Sequence, residues 1–380
     1  MIDLEPQISV DLKELAEQFK CAADYISLEN AILGHVLSGN RLNNEAALFL
    51  WRHGNFRNMG NAAFQVRNQK HDANEVSYTA FRVVNYTNYC NIECSFCSFM
   101  DEVGSGKGYT LSIDEILKKI AEAIKFDSPQ LFLQGGVNPD LPFDWYLNTL
   151  RAIRKEYPDL HIRAFSPVEA LYLEKITGLT LAEVFTSLKE AGMNSFPGAG
   201  AEILTDRMRD ILSPKKSSTS EWVRAMQTAQ MSGLPGSSNI VWGSEETDEE
   251  IIEHLHVLRS LQDTTGGVLS FVPWTFQAQT KKFRIRKVPS HEYLRMVALA
   301  RLYFDNIDHI EISIMVAGKQ LGELGLFWGG DDINSPVIEE NVLRSFGLKS
   351  VQEAEKFIHD SGFVPVRRNF NFERGKKSLV

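Results

Sequence analysis

Strands and helices alternate along most of this sequence, and that alternation restricts the possible folds more than any other feature. Residues 76–86 are rich in β-branched and aromatic residues, 130–134 and 268–272 are short apolar runs, and amphipathic stretches separate them. Strands that alternate with helices form βαβ units and a parallel sheet. About seven such units follow one another, which predicts an α/β fold of the (β/α) TIM-barrel type, full or nearly full.

The two ends of the chain differ from this central region, so we predict three parts. Residues 1–75 form a helical N-terminal segment, because their apolar residues recur at helical spacing. Residues 76–320 form the barrel, and residues 321–380 form a C-terminal extension that completes it. In a TIM barrel the active site lies at the carboxyl ends of the strands, so candidate residues are expected directly after predicted strands.

Charge and hydropathy exclude several classes of function. The net charge is −9 and the sequence pI is about 5.6, which argues against nucleic acid as the main partner. The apolar stretches are shorter than the roughly 18 residues that span a bilayer, so no membrane partner is predicted. Met1–Lys13 lacks the apolar core of a signal peptide. We therefore expect a cytoplasmic protein that acts on a small-molecule substrate.

Three of the four cysteines lie close together, with the spacing C-x3-C-x2-C at Cys90, Cys94 and Cys97. A disulfide scaffold would use more cysteines and spread them out, so a metal centre is the better interpretation. Zinc would need a fourth ligand, and neither His71 nor His161 has ligand spacing. A chance cluster is the remaining alternative. Three thiolates can hold three irons of a 4Fe–4S cluster and leave one iron open to an external ligand.

The segment around these cysteines, YCNIECSFCSF from Tyr89 onward, resembles the signature of radical S-adenosylmethionine (SAM) enzymes, with Phe96 just before the last cysteine. The resemblance implies that Cys90, Cys94 and Cys97 hold the cluster, that SAM chelates the open iron, and that Phe96 lies beside the cofactor. It also implies reductive cleavage of SAM to a 5′-deoxyadenosyl radical. A one-electron reductant such as flavodoxin or ferredoxin is then the expected protein partner.

Two further motifs match places where this superfamily contacts SAM. Gly135 and Gly136 follow the second strand of the predicted barrel, where glycines allow the backbone to approach a ligand closely. Ser166 and Glu169, in FSPVEA, fall where contacts to SAM are implied. A helix N-cap with an acidic residue in its first turn explains the second pair equally well.

A narrower resemblance covers residues 25–373 and is carried by LQGGVNPDLPFDWY, PGAGAEIL, FVPWTFQ (271–277) and SPVIEENV (335–342). These motifs are similar to the futalosine and deazaflavin group of radical SAM enzymes. FVPWTFQ and SPVIEENV resemble the branch that cyclises dehypoxanthine futalosine in menaquinone biosynthesis. The implied chemistry is hydrogen abstraction from the ribose, followed by closure of the carbon radical on the benzoate ring. Aminofutalosine synthase, a deazaflavin synthase subunit or a paralogue with a changed substrate are the alternatives.

That chemistry needs an anchor for the benzoate carboxylate, polar contacts to the sugar and a base for one proton. Glu202 or Glu246 is the candidate base, and Arg163 is the candidate anchor. The helix dipole explains Glu246 as well, and a turn explains Asp331 and Asp332. The other predicted substrate contacts are Asn138, Trp274, Gln277, Asp331 and Asp332.

The sequence departs from the pattern of the cyclising branch at several predicted strand ends. Asn138, Arg163 and Ser244 stand where that branch usually has histidines. None of these side chains reproduces the acid–base behaviour of an imidazole. The cysteine loop is unchanged, so we expect the radical chemistry to be retained and the substrate side to have diverged.

Overall fold

The computed structural model describes residues 10–125, 128–277, 285–334, 336–338, 348 and 350–374. Helices and parallel strands alternate through the chain, which confirms the predicted α/β fold. The helices are α1 (Leu12–Gln18), α2 (Tyr25–Leu37), α3 (Asn44–His53), α4 (Phe56–Lys70), α5 (Ile113–Lys125), α6 (Phe143–Glu156), α7 (Pro167–Thr177), α8 (Leu181–Glu190), α9 (Asp206–Leu212), α10 (Thr219–Met231), α11 (Asp248–Thr265), α12 (Ser290–Tyr303), α13 (Ile314–Phe327) and α14 (Val351–Asp360). The strands are β1 (Glu75–Tyr78), β2 (Phe81–Asn85), β3 (Gln130–Gln134), β4 (His161–Ala164), β5 (Gly236–Trp242), β6 (Val268–Thr275), β7 (His309–Ser313), β8 (Asp332–Asn334), β9 (Pro336–Ile338) and β10 (Val364–Arg367).

All pairings between these strands are parallel, and the strands form two sheets that share a corner. One sheet has the order β10–β1–β8–β7–β6–β5, and the other has the order β4–β3–β2–β9. Because β8 and β9 are separated by one residue, the chain passes there from the first sheet to the second. Since β8 pairs with β7 and β9 pairs with β2, this passage connects the two sheets on one side of the barrel.

A short extended segment, residues 194–198, bridges the opposite side of the ring between β4 and β5. Its Ser195 carbonyl accepts a hydrogen bond from Ala164 N (3.2 Å), and Gly198 N donates to Ser237 O (2.9 Å). We predicted a strand at 193–196, and the chain forms an isolated bridge there between Arg163 and Ser195. The β4 and β5 edges are therefore linked through this segment, and the predicted TIM-type arrangement is confirmed.

Local sequence explains where several helices begin. Before α5, Ser112 Oγ accepts from Glu115 N (3.3 Å), and the Glu115 carboxylate accepts from Ser112 N (2.7 Å). Thr180 with Glu183 forms the same reciprocal capping box before α8. Each box pairs two backbone N–H groups that a helix start leaves without partners. These signals are local, which is why sequence predicts the helix starts well.

Two predicted strands differ from the structure in an instructive way. The expected strand 76–86 is two strands, because β1 pairs with β8 and β10 whereas β2 pairs with β3 and β9. The expected strand 309–316 ends at Ser313, and α13 starts at the next residue. In both places the composition favours an extended chain, but the neighbouring strands decide where pairing stops.

The helices before the barrel pack on its outer layer. Trp51 of α3 donates a hydrogen bond to Asp248 at the start of α11 (2.8 Å), and Arg41 pairs with Asp263 and Asp305. None of the described helices is long and apolar enough to cross a membrane. Our predicted boundary after residue 75 falls at the first residue of β1, and the one after 320 falls within α13. The three-part division remains a prediction.

The chain after β10 closes the amino end of the barrel, and we call residues 368–372 the floor segment. Phe370 stacks on His161, the first residue of β4, with 4.4 Å between ring centroids. Phe372 stacks in the same way on His309, the first residue of β7, at 3.7 Å. Arg368 pairs with the buried Asp332 (2.8 Å) at the start of β8. The floor segment thus seals the end opposite the expected active site.

Replacing Arg368 with methionine is expected to destabilise the protein by about 3–5 kcal/mol, because it leaves a buried carboxylate without its partner. Burial already raises the pKa of Asp332 to about 6 despite the Arg368 guanidinium. The thermal unfolding midpoint measures the effect. Arg374→Met is the matched control, since Arg374 pairs with Glu75 at the exposed surface and such pairs contribute at most about 1 kcal/mol. Equal midpoints for the two variants would contradict a structural role of the Arg368 pair.

Candidate active site

The three clustered cysteines lie in the loop that follows β2, at the carboxyl end of the barrel. Neighbouring elements hold this loop: Ser95 donates to Leu212 O from both its backbone N (2.9 Å) and its Oγ (2.7 Å), and Val137 N lies 3.4 Å from Cys90 Sγ. Cys90, Cys94 and Cys97 are partly exposed and line one cavity of about 210 Å³. The three thiols therefore face a common space.

The spacing of the thiols tests whether they suit a single metal ion. Tetrahedral Zn–S bonds of about 2.3 Å would place ligand sulfurs about 3.8 Å apart. Among the described residues, the cysteines do not form a group whose ligand atoms all lie within 4.8 Å of one another. Burial raises the pKa of the Cys90 and Cys97 thiols, so a strongly cationic centre is needed to hold them as thiolates. The arrangement fits a larger cluster with three thiolate ligands.

The predicted glycine pair packs directly against the cysteine loop. A Cβ atom on Gly136 would collide with the Tyr89 carbonyl oxygen and lie 2.8 Å from Cys90 Cβ. A Cβ on Gly135 would lie 2.7 Å from the Tyr86 ring. Both glycines also line the cavity of the thiols. The close approach of β3 to the loop explains the two glycines, and their contact with SAM remains a prediction.

Ser166 and Glu169 combine the two roles that their sequence allows. Ser166 is the N-cap of α7 and accepts from Glu169 N (3.4 Å), and both residues line the thiol cavity. The Glu169 carboxylate accepts from Ser166 Oγ and from Tyr86 Oη, each at 2.5 Å. Burial raises the pKa of Glu169 to about 7. The carboxylate is therefore fixed in place beside the cavity.

The raised pKa of Glu169 predicts a pH effect on stability. An acid whose pKa is higher in the folded than in the unfolded state binds more protons when folded, so its contribution to stability falls as pH rises from about 4.5 to 7 and is constant above. We expect the free energy of unfolding of the native protein to fall by about 1 kcal/mol relative to that of Glu169→Gln between pH 6 and 7. Thermal unfolding of the cluster-containing protein without SAM measures it. A constant difference from pH 6 to 8 would contradict the raised pKa.

A second cavity, of about 550 Å³, lies beside the first and opens into it. It extends into the barrel between β2, β3, β5 and β6, and aromatic side chains contribute much of its wall. The two cavities are continuous because six residues line both: Phe96, Cys97, Gln134, Ala199, Gly200 and Glu202. We call the smaller space the cluster chamber and the larger one the inner chamber. Phe96 lies at their junction, and its contact with the cofactor remains a prediction.

Glu202, a predicted base, lies at this junction and forms an ion pair that the sequence did not reveal. Lys216 Nζ lies 3.0 and 3.1 Å from the two Glu202 carboxylate oxygens and 5.8 Å from the Phe96 ring centroid. Burial alone would lower the pKa of Lys216. The negative charge of Glu202 has the opposite effect, and the pKa of Lys216 is raised. The two adjacent lysines after α9, Lys215 and Lys216, were the sequence feature that could have indicated an ion pair. Only the fold shows that Lys216 pairs with Glu202.

Of the six predicted substrate residues, three line the inner chamber, and Asn138, Asp331 and Asp332 do not. Arg163, Trp274 and Gln277 are part of its wall. The Gln277 amide donates to Thr275 Oγ1 (2.8 Å), and the Trp274 indole N–H has no partner among the described residues. Asn138 is buried beside the cysteine loop, where its amide donates to Thr110 Oγ1 (3.1 Å). Asn138 lines neither chamber.

Glu246, the other candidate base, lies outside both chambers. Its side chain is buried and accepts hydrogen bonds from Gly243 N (2.8 Å) and from Ser244 N and Oγ (2.9 and 2.8 Å). These bonds fix the turn between β5 and α11, so they also account for Ser244. We assign neither residue a role in the reaction.

Asp331 and Asp332 lie at the opposite end of the barrel from the chambers. Asp331 accepts from His309 (2.6 Å) and pairs with Arg301, and Asp332 pairs with Arg368. The sequence suggested that this pair follows a strand, but α13 carries the chain back to the amino end, where β8 begins. Their position corrects the interpretation that they contact substrate, because a parallel barrel keeps its two ends apart.

The sequence analysis missed several polar residues of the inner chamber. Ser237 and Asn239 of β5 line it together with Val241, and Asn334 of β8 faces the same space. Positions 237, 239 and 241 follow the two-residue period of a strand, so they share one face. That periodicity was a usable signal, but it does not show which face of a strand points into a barrel.

Comparisons with known proteins agree with this geometry. Residues 84–258 match the radical SAM superfamily model, and residues 265–378 match the CofH/MqnC C-terminal region. The chain is 36% identical over 349 residues to the cyclic dehypoxanthine futalosine synthase of Streptomyces coelicolor, covering 90% of this chain and 88% of the relative. It is 32% identical to the aminodeoxyfutalosine synthase of Thermus thermophilus, covering 88% and 92% of the two chains.

Two more relatives mark the breadth of the group. A 5-amino-6-(D-ribitylamino)uracil–L-tyrosine 4-hydroxyphenyl transferase of Archaeoglobus fulgidus is 36% identical, covering 77% of this chain and 87% of its own. The crystal structure of methylornithine synthase has the same fold, with a TM-score of 0.68 at 18% identity, and covers 88% of this chain and 97% of its own. The chain therefore belongs to the radical SAM superfamily, in the group with the CofH/MqnC C-terminal region, whose cofactors are a 4Fe–4S cluster and S-adenosylmethionine.

Proposed function

We propose that this enzyme cyclises dehypoxanthine futalosine, a step of the futalosine route to menaquinone. The observation that carries the proposal is the inner chamber, which opens directly onto the cluster chamber and has the size of a small-molecule site. The motif FVPWTFQ, which resembles the cyclising branch, supplies five residues of its wall: Val272, Trp274, Thr275, Phe276 and Gln277. Most of the second motif, SPVIEENV, lies outside the described residues.

The bound cluster and SAM would supply a carbon-centred radical at the junction of the two chambers. The residues of this chain then have three tasks: they orient the substrate, keep water away and accept one proton. The inner chamber contributes to the second task through Phe81, Phe132, Trp274 and Phe276, whose apolar surfaces offer ordered water no hydrogen-bond partners apart from the Trp274 indole N–H.

Glu202 is the proposed proton acceptor. It lines both chambers, so its carboxylate lies where a substrate in the inner chamber would meet the reactive centre. Lys216 Nζ lies 3.0 Å from the Glu202 carboxylate and holds it in place at the junction of the two chambers. Closure of a carbon radical on an aromatic ring releases one electron, which the one-electron carrier would take up again, and one ring proton, and accepting that proton is the task we assign to Glu202.

The electron for SAM cleavage would come from a one-electron carrier such as flavodoxin or ferredoxin. The cluster loop is at the carboxyl end of the barrel, and Cys90, Cys94 and Cys97 are all partly exposed. Lys215, which pairs with Glu93 of the cluster loop (2.6 Å), is exposed beside them. The loop is therefore accessible to a carrier from this side.

A second candidate is the reaction class in which the adenosyl group itself becomes part of the product, as in aminofutalosine synthase. The 32% identity to the Thermus thermophilus relative supports it. Asn138, Arg163 and Ser244 also depart from the cyclising branch, but Asn138 and Ser244 lie outside both chambers. Their changes are therefore compatible with the cyclising reaction, and Arg163 alone alters the chamber wall.

An anaerobic assay with reconstituted, dithionite-reduced enzyme, SAM and dehypoxanthine futalosine tests the proposal. Mass spectrometry is expected to show cyclic dehypoxanthine futalosine together with 5′-deoxyadenosine. Adenosyl carbon within the product, from the substrate of aminofutalosine synthase, would establish the second candidate instead. If 5′-deoxyadenosine forms without any cyclic product, the radical chemistry stands and the proposed substrate is wrong. Reactions without SAM or without dithionite are the controls.

A further inference from the structure

Arg163 occupies an unusual position deep in the barrel. It lies on β4 and lines the inner chamber, and its Nη2 donates to Ser237 Oγ (2.5 Å). The guanidinium carbon is 4.5 Å from the Phe132 ring centroid and 5.7 Å from that of Phe370. The guanidinium is thus enclosed by two aromatic rings and one hydroxyl, and its accessible part faces the chamber.

Arg163 forms no direct ion pair with a described residue, although the charge of Glu311 nearby partly offsets its own. Within the described residues no carboxylate lies at ion-pair distance from it, and its Nε has no hydrogen-bond partner. The neighbouring acid Glu311 is engaged by Ser270 and Asn334. A cation buried without a counterion is costly, so this position favours an anion that arrives from the chamber.

The rest of the inner chamber limits what that anion can be. Arg163 is the one basic residue among the described residues of the wall, and Glu202 at the junction is the one acidic residue. Phe81, Phe132 and Trp274 form broad apolar surfaces. A guanidinium can pair with two oxygens of a carboxylate or of a phosphate, but one cation in the wall balances the single charge of a carboxylate and not the nearly double charge of a phosphate monoester.

We propose that Arg163 is the carboxylate anchor of the inner chamber, for a ligand of the aromatic monocarboxylate class, and that Phe370 of the floor segment positions it. This inference deepens the proposed function, because a benzoate-bearing substrate would place its carboxylate there. It also ties the floor segment to substrate affinity: Phe370 lies between the His161 ring, at 4.4 Å, and the Arg163 guanidinium.

Binding of benzoate and benzamide to the cluster-containing enzyme with SAM tests the anchor without any turnover. The two ligands have nearly the same shape, but only benzoate carries the charge. The native enzyme is expected to bind benzoate about 10- to 100-fold more tightly than benzamide, as measured by ligand-observed NMR titration. Arg163→Gln is expected to remove this preference, and Arg163→Lys to retain part of it.

Arg224→Gln is the matched control for the loss of an arginine, because Arg224 is partly exposed on α10 and pairs with Glu174. It should leave the preference for benzoate unchanged. Cluster absorbance and the thermal midpoint show whether each variant is folded. If Arg163→Gln does not fold, the partial preference for benzoate expected of Arg163→Lys still tests the anchor. An unchanged benzoate preference in folded Arg163→Gln would overturn the anchor.

Phe370→Leu tests the positioning role. We expect about 3- to 10-fold weaker benzoate binding, unchanged benzamide binding, and a raised KM with little change in kcat for the carboxylate substrate. Phe372→Leu is the control, since Phe372 stacks on His309 and Arg368 instead. Equal effects of the two substitutions would show that the floor segment acts only through stability.

The two proposals can fail separately. Benzoate binding that depends on Arg163, in an enzyme that does not cyclise dehypoxanthine futalosine, would keep the anchor and reject the proposed substrate. Cyclisation whose KM is unaffected by Arg163→Gln would keep the proposed function and reject the anchor. The two measurements use different ligands, so neither result depends on the other.

Discussion

Replacing Cys94 with alanine is expected to remove iron from the protein and to abolish SAM cleavage. Cys90, Cys94 and Cys97 line one chamber, and with a single thiolate missing only two protein ligands remain for a cluster that needs three. Iron per chain and the yield of 5′-deoxyadenosine after anaerobic reconstitution measure the two effects. The same loss is expected for alanine at Cys90 or Cys97, because no other described cysteine lies near the loop.

Cys21→Ala is the matched control for this experiment. Cys21 follows α1 and packs at the edge of the hydrophobic core, away from the chambers. Its replacement should leave iron content and SAM cleavage unchanged. Zinc without iron in the anaerobically purified native protein would contradict the cluster assignment, and so would full SAM cleavage by Cys94→Ala.

Gly136→Ala adds one methyl group, and we expect it to lower both the stability of the protein and its affinity for SAM. The new Cβ would meet the Tyr89 carbonyl oxygen and Cys90 Cβ, and backbone atoms cannot move aside as a flexible side chain can. We expect the cysteine loop to shift, with a stability loss of about 1–3 kcal/mol, the usual cost of overpacking. SAM affinity should fall about tenfold or more, which corresponds to about 1.4 kcal/mol of lost binding. Equilibrium binding of SAM and iron content are the measurements.

Gly34→Ala provides the control, because Gly34 lies in α2 and a Cβ there meets nothing within 4 Å. The same change should stabilise that helix by about 0.5–1 kcal/mol and leave SAM binding intact. Native SAM affinity and iron content in Gly136→Ala would show that the loop tolerates the methyl group, which would reject the packing explanation for this glycine.

Much of the architecture was accessible from the sequence because the responsible signals are local. The alternation of strands and helices predicted the barrel, and the pairs Ser112–Glu115 and Thr180–Glu183 marked helix starts. The same is true of the metal centre. Cys90, Cys94 and Cys97 are close in the chain, so a short loop brings them to one chamber without help from distant elements.

The sequence misled where the decisive contact was distant. Asp331 and Asp332 looked like residues at a strand end, but α13 returns the chain to the floor of the barrel before they occur. Glu246 resembled a catalytic acid, and the backbone of its own turn uses its carboxylate. A polar residue after a predicted strand is therefore a candidate only if the chain still lies at the carboxyl end.

The sequence by itself determined the superfamily and most of the order of the elements, and it predicts the cluster ligands, since each depends on residues a few positions apart. Only the tertiary structure decided which charges meet. Lys216 faces Glu202, and Phe370 from the last described turn lies against Arg163 on β4. The first pair joins residues 14 positions apart on either side of α9, and the second joins residues 207 positions apart that only closure of the barrel brings together. No local pattern encodes them, because burial and distance arise only when the whole ring of strands has formed.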